Sequence, residues 1–218
     1  MGMVQDAIKR VYAEFADVPR PRAIDGCPHC IEAKEVGSLL ETPLRQISSA
    51  HLASYASSAF LTVGGVSDYQ YFLPRILEIS ANDDSWWPDI EVTARAIRSC
   101  SPDSWPSRRK DALGFLLGAV IGDAVESGAY DRLDPWICAT ARMGFDVAPH
   151  LEQVAKVPAA VLAYFEDNAS CLPQGKLCNA FWELPDQSHD EIVVWFNSEK
   201  IRKIVFDAYG YVSKPARA

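Results

Sequence analysis

The 218-residue chain is 49% hydrophobic, with a formal net charge of −8 and a pI near 5.0. That is enough apolar material for a full core, and the acidic balance repels a phosphate backbone, so nucleic acid is not an expected partner. The basic runs Arg108-Arg109-Lys110 and Lys200-Ile201-Arg202-Lys203 are too short and too far apart to reverse that sign.

The N-terminus MGMVQDAIKRVYAEF interleaves charges with apolar residues and lacks the unbroken apolar segment of a secretory signal. Asp6 stands where a myristoylation signal takes Ser or Thr. The longest near-continuous apolar run, Ala112 to Gly122, falls short of the roughly 20 residues that span a bilayer. The expectation is a cytoplasmic chain with no membrane partner, its six cysteines held as thiols or metal ligands.

Cys27-Pro28-His29-Cys30 comes next, followed by a short helical segment from Ile31 to Leu40. Leu52, Tyr55, Ala56, Ala59, Phe60 and Val63 form one helical stripe, with Ser48 as N-cap, Ile47 as staple and Gly64-Gly65 as stop. Ser67 and Gln70 read as a capping box for a helix carrying Tyr69, Phe72, Leu73, Ile76 and Leu77. Pro74 inside it removes one hydrogen bond and predicts a kink. After the aromatic link Trp86-Trp87-Pro88, Ile90, Ala94 and Ile97 share a face.

Leu113, Leu116, Leu117, Val120, Ile121 and Ala124 keep strict helical period and mark a central buried helix. Gly114, Gly118 and Gly122 on a neighbouring face predict a close helix approach. Leu133 to Met143 and Pro149 to Phe165 follow as helices, the second kinked or divided at Pro158. A loop from Cys171 to Pro185, a capping box of Ser188 and Glu191, and a last helix bearing Ile201, Ile204, Val205, Ala208 and Tyr209 complete the chain. Ile192 to Phe196 is the one run with strand character. The prediction is an all-α chain of antiparallel helical pairs, a HEAT-like stack or an irregular bundle, in a single domain over 1–218 that would subdivide near 81–88.

Chemistry concentrates at Cys27 and Cys30. Two thiols at this spacing exchange disulfides, hold half of a tetrahedral zinc site, or pack as small hydrophobes. For zinc, the completing ligands would come from His29, Cys171, Cys178 or His51. Asp123 and Glu126 read as a solvated helix face, His150 and His189 as surface residues near helix starts, and Cys100 and Cys138 as core. No catalytic residue is assigned. Trp86 and Trp87, beside Asp83-Asp84, are the expected contact for a protein partner.

The tetrapeptide Cys27-Pro28-His29-Cys30 resembles the active-site element of the disulfide-forming oxidases of the thioredoxin superfamily, which implies a nucleophilic Cys27 stabilised by His29. The segment before it is no strand and no βαβ pattern follows. Together with Leu39-Leu40-Glu41-Thr42-Pro43-Leu44, Tyr55 and DYQYFLPRILE over 68–78, the element is similar to a group of uncharacterised bacterial helical proteins. That resemblance implies a helical fold and transfers no activity. The favoured reading is a cytoplasmic protein-interaction module, of the kind that serves as inhibitor or immunity protein against a basic partner, and not an enzyme. The alternative is a thiol-redox or zinc-binding protein centred on Cys27-Pro28-His29-Cys30.

Overall fold

The structure is a computed structural model describing residues 2–27 and 29–210. Among the described residues it holds eleven α-helices and only isolated β-bridges, so the fold is all-α as predicted. No helix among them is long and apolar enough to cross a membrane. The chain forms two compact units that divide between Ala119 and Val120. Residues 83–89, near the expected point of subdivision, are a connection inside the first unit.

The first unit contains α1 (Gly2–Glu14), α2 (Ala33–Glu41), α3 (Ser49–Ser58), α4 (Val66–Asn82), α5 (Ile90–Ser99) and the start of α6 (Ser107–Ser127). Val4, Ala7, Ile8 and Val11 form the buried stripe of α1, which packs on α4. The predicted stripe of α4 is buried throughout, and the helix runs on past Pro74. α3 packs on α2, α4 and α5, which places Leu52, Tyr55, Phe72 and Ile97 in one core.

Arg109 ties the N-terminus of α6 into this unit. It is buried, and its guanidinium donates to Glu14 O at 3.1 Å, Gln70 Oε1 at 3.2 Å and Asp17 Oδ1 at 2.5 Å. The same group lies 4.8 Å over the Phe15 ring. One residue of the basic run at 108–110 is therefore an internal tether and offers nothing to a phosphate backbone.

Two expectations about α3 and α4 are corrected. The stripe predicted to reach Val63 ends at Ser58, because Phe60 takes φ +62 and the chain turns so that Val63 can bridge Gly26. Long-range pairing overrides local period there. The cap of α4 is not Ser67 with Gln70. Gly65 is the N-cap, and its N–H donates to both carboxylate oxygens of Asp68, at 2.9 and 3.1 Å. Ser48 does cap α3, accepting from the His51 N–H at 3.3 Å.

The second unit contains the remainder of α6, then α7 (Leu133–Arg142), α8 (Ala148–Val154), α9 (Pro158–Asn168), α10 (Gln187–Phe196) and α11 (Glu199–Tyr209). Pro158 starts a new helix, as a residue without an N–H does most comfortably. α9 packs on α7, α8 and α11. Close approach occurs at Gly122, where a Cβ would stand 2.6 Å from Gln153 Nε2 of α8. The strand-like run 192–196 is helical, and α10 is capped by Asp186, whose carboxylate accepts from the His189 N–H at 3.0 Å, not by Ser188 with Glu191.

Candidate functional site

The cysteine turn hangs on the corner between α3 and α4. Gly26 forms an antiparallel bridge with Val63, the Cys27 N–H donates to Thr62 O at 2.8 Å, and the Gly64 N–H donates to Asp25 O at 2.7 Å. The corner is itself fastened from behind, since buried Asp68 accepts the Tyr55 hydroxyl at 3.0 Å as well as the Gly65 N–H. Past the bridge the chain reverses, with the Cys30 and Ile31 N–H groups both donating to Cys27 O, at 2.9 and 3.2 Å. Ile31 is buried, and Glu32 opens α2, its N–H held by Glu35 Oε2 at 3.0 Å. Ser54 of α3 donates to the other Glu35 oxygen at 3.2 Å, so the helix behind the turn is pinned as well.

Cys27 and Cys30 are partly exposed free thiols and His29 is exposed. The Cys27 thiol pKa lies below the ordinary value of 9.0, lowered by the neighbouring His29 amide, the Cys30 side chain and the Cys30 amide, with burial opposing them. The backbone N–H of His29 is the largest contribution. A lowered thiol pKa favours the ionised form, which is both nucleophile and metal ligand.

The other predicted ligands do not gather here. Cys171 and Cys178, expected as thiols or zinc ligands, are joined in a disulfide with a Cα–Cα distance of 5.4 Å. The cause is local: a 3₁₀ turn over Leu172–Gln174 ends on Gly175 at φ +70 and folds the two cysteines together. In that state neither sulfur is a metal ligand. His51 is exposed on the first turn of α3, and among the described residues no three His, Cys, Asp or Glu side chains form a metal-holding group.

Trp86 and Trp87 part company. Trp86 is buried and its indole donates to Ser49 O at 2.9 Å, so it belongs to the core, while Trp87 is 56% exposed. Cys100 and Cys138 are buried as expected, and burial pushes the Cys100 thiol up to about 12. Glu126 is exposed and Asp123 partly so.

His189 is not the surface residue expected. It is buried, its Nε2 accepts the Leu177 N–H at 3.2 Å, and its Nδ1 lies 3.1 Å from Asp190 Oδ1. An acceptor at Nε2 leaves the proton on Nδ1, shared with Asp190. Nothing in the sequence signals this role except Asp186 three residues earlier, which fixes where α10 begins. The chain matches no protein-family model, no curated protein and no solved structure.

Proposed function

We propose that Cys27 and Cys30 form a thiol–disulfide exchange pair, with Cys27 as nucleophile and Cys30 as resolving thiol. The observation that supports this most is the turn itself, where two partly exposed free thiols stand three residues apart, the Cys30 N–H donating to Cys27 O at 2.9 Å and the Cys27 N–H to Thr62 O at 2.8 Å. In the reaction, the Cys27 thiolate attacks one sulfur of a substrate disulfide and expels the other as a thiolate. Cys30 then gives up its proton to that thiolate and attacks the Cys27 sulfur, expelling the second substrate sulfur as a thiolate, which takes its proton from water. Two electrons pass from the pair to the substrate, and Cys27–Cys30 is left oxidised. A low-molecular-mass thiol in a reducing compartment such as the cytoplasm returns it to the dithiol. Exchange needs only these two sulfurs, whereas zinc takes four donors, of which the turn supplies Cys27 and Cys30.

Glutathione disulfide tests the assignment. Cys30→Ser should accumulate one glutathione on Cys27, while the native chain passes on to the intramolecular disulfide and releases both glutathiones. The reading fails if Cys30→Ser takes up glutathione no faster than Cys27→Ser does. Native mass spectrometry of chain purified without chelator separates the metal reading, since a zinc ion lost in Cys27→Ser would reassign the turn as a metal site.

A second reading is a protein-interaction module of the inhibitor or immunity type, favoured by one exposed indole, Trp87, on an acidic chain. Tryptophan anchors many interfaces, and net negative charge suits a basic partner. A basic protein that co-purifies with the native chain and is lost with Trp87→Ala would support it. Retention of that partner by Trp87→Ala would remove Trp87 from the interface.

A further inference from the structure

Apart from the cysteine turn, α1 and α4 of the first unit flank an open groove of about 650 Å³, closed on its other side by Pro43 and the 3₁₀ turn Leu44–Gln46. Its floor is Phe15, Val18 and Pro74, all buried, and its walls carry Tyr12, Leu44 and Tyr71. The volume lies in the range of small-molecule sites, and an apolar lining with few polar groups is their usual composition. Lys9 and Arg45 are the charged residues on the rim, and Lys9 is paired with Asp6 at 2.9 Å.

Arg45 differs. Its guanidinium sits 3.6 Å from the centroid of the Tyr12 ring, and among the described residues it has no hydrogen-bond or ion-pair partner. The platform beneath it is fixed. The Tyr12 hydroxyl donates to Glu78 Oε2 at 2.6 Å, Arg75 donates to the same oxygen at 2.7 Å, and Arg75 also holds Ile47 O at 2.8 Å. Burial, then the bond to Glu78, raises the Tyr12 pKa, so the phenol stays neutral and keeps donating. A stacked guanidinium held by its ring presents its N–H donors edge-on, the geometry that takes a carboxylate with two parallel hydrogen bonds.

We infer that this groove binds a low-molecular-mass carboxylate with an apolar aryl or alkyl body, the body on Phe15, Val18 and Pro74 and the carboxylate on Arg45. The charge complementarity is local. The chain as a whole is acidic, so an anion retained here is retained by this one unpaired cation and the apolar floor beside it.

Isothermal titration of the full chain with 4-phenylbutyrate and its neutral isostere 4-phenylbutyramide tests the inference. The acid should bind with one-to-one stoichiometry and at least about tenfold more tightly than the amide, the fold-change of one charge-assisted hydrogen-bonded pair. Arg45→Gln should remove that advantage and leave the amide unchanged. Arg45 is exposed, so the variant should keep the native circular dichroism spectrum and melting temperature. Amide chemical shifts on adding the acid should move at Ala13, Ala16 and Gln46. Equal affinity for acid and amide, an acid affinity indifferent to Arg45→Gln, shifts confined to other helices, or no binding of the acid at millimolar concentration would each overturn the assignment.

Discussion

At Gly64 the backbone has φ +71, and an added Cβ would overlap Asp68 Oδ2 and stand 3.0 Å from the Tyr55 ring. A side chain there meets both the left-handed backbone penalty and a buried carboxylate that is already holding two partners. Gly64→Ala should therefore destabilise the chain by about 2 kcal/mol or more, read as a lower urea midpoint at unchanged slope. His150 gives a pH dependence at the same scale. Its burial lowers the imidazole pKa from 6.5, only partly opposed by Asp146. The unfolded chain then binds the proton first, so stability is present above 6.5 and is lost as pH falls through the depressed folded value. His150→Gln should flatten the fall in urea midpoint between about pH 7 and about pH 5.5. Single residues were legible where helical period decides, as at Cys100 and Cys138, expected in the core and buried there. They were illegible where neighbours decide: adjacent Trp86 and Trp87 look alike in sequence, yet only Trp86 finds Ser49 O and a core to enter.

Helix interiors follow from period, because a stripe such as Leu113 to Ala124 has only one way to be buried. Helix ends do not. α3 stops at Ser58 for the sake of a bridge to Gly26, α4 begins at Gly65 with its N–H held by Asp68, and α10 is capped by Asp186, in place of the Ser-based boxes the sequence suggested. In α1 the helical spacing of Val4, Ala7, Ile8 and Val11 is short and broken up by charged residues, so its period is a weaker signal than that of Leu113 to Ala124. What fastens its C-terminal end is Arg109 on α6, and no local pattern foretells a contact across that many residues. Arg109→Met keeps the volume but leaves the Glu14 carbonyl and Gln70 without their donor. It should cost roughly 2–4 kcal/mol, whereas Arg108→Met, whose side chain is 54% exposed, should stay within about 0.5. Chemical denaturation of the two variants side by side separates an internal tether from a surface charge.

For the whole molecule, the all-α class was legible and the disulfide was not. Cysteine count and a cytoplasmic expectation argued for free thiols, while the deciding fact was the 3₁₀ turn that closes Cys171 onto Cys178. The bridge closes a short loop, so replacing both cysteines by serine should lower the stability of the second unit by about 2 kcal/mol. Thiol titration in denaturant without reductant should find four reactive groups, Cys27, Cys30, Cys100 and Cys138, and two more after reduction. Titration of six before reduction would mean the bridge is absent in solution.

The backbone rungs that suspend the cysteine turn carry a further consequence for motion. Among the described residues, the Cys27 N–H and the Gly64 N–H are the backbone donors between the turn and the α3–α4 corner, and both close onto carbonyls across a long stretch of chain. Their exchange with solvent deuterium requires the corner to open, so both amides should exchange together and far more slowly than those of a surface loop. Oxidation of Cys27 to Cys30 would be registered at Gly64 as a change in that common opening rate.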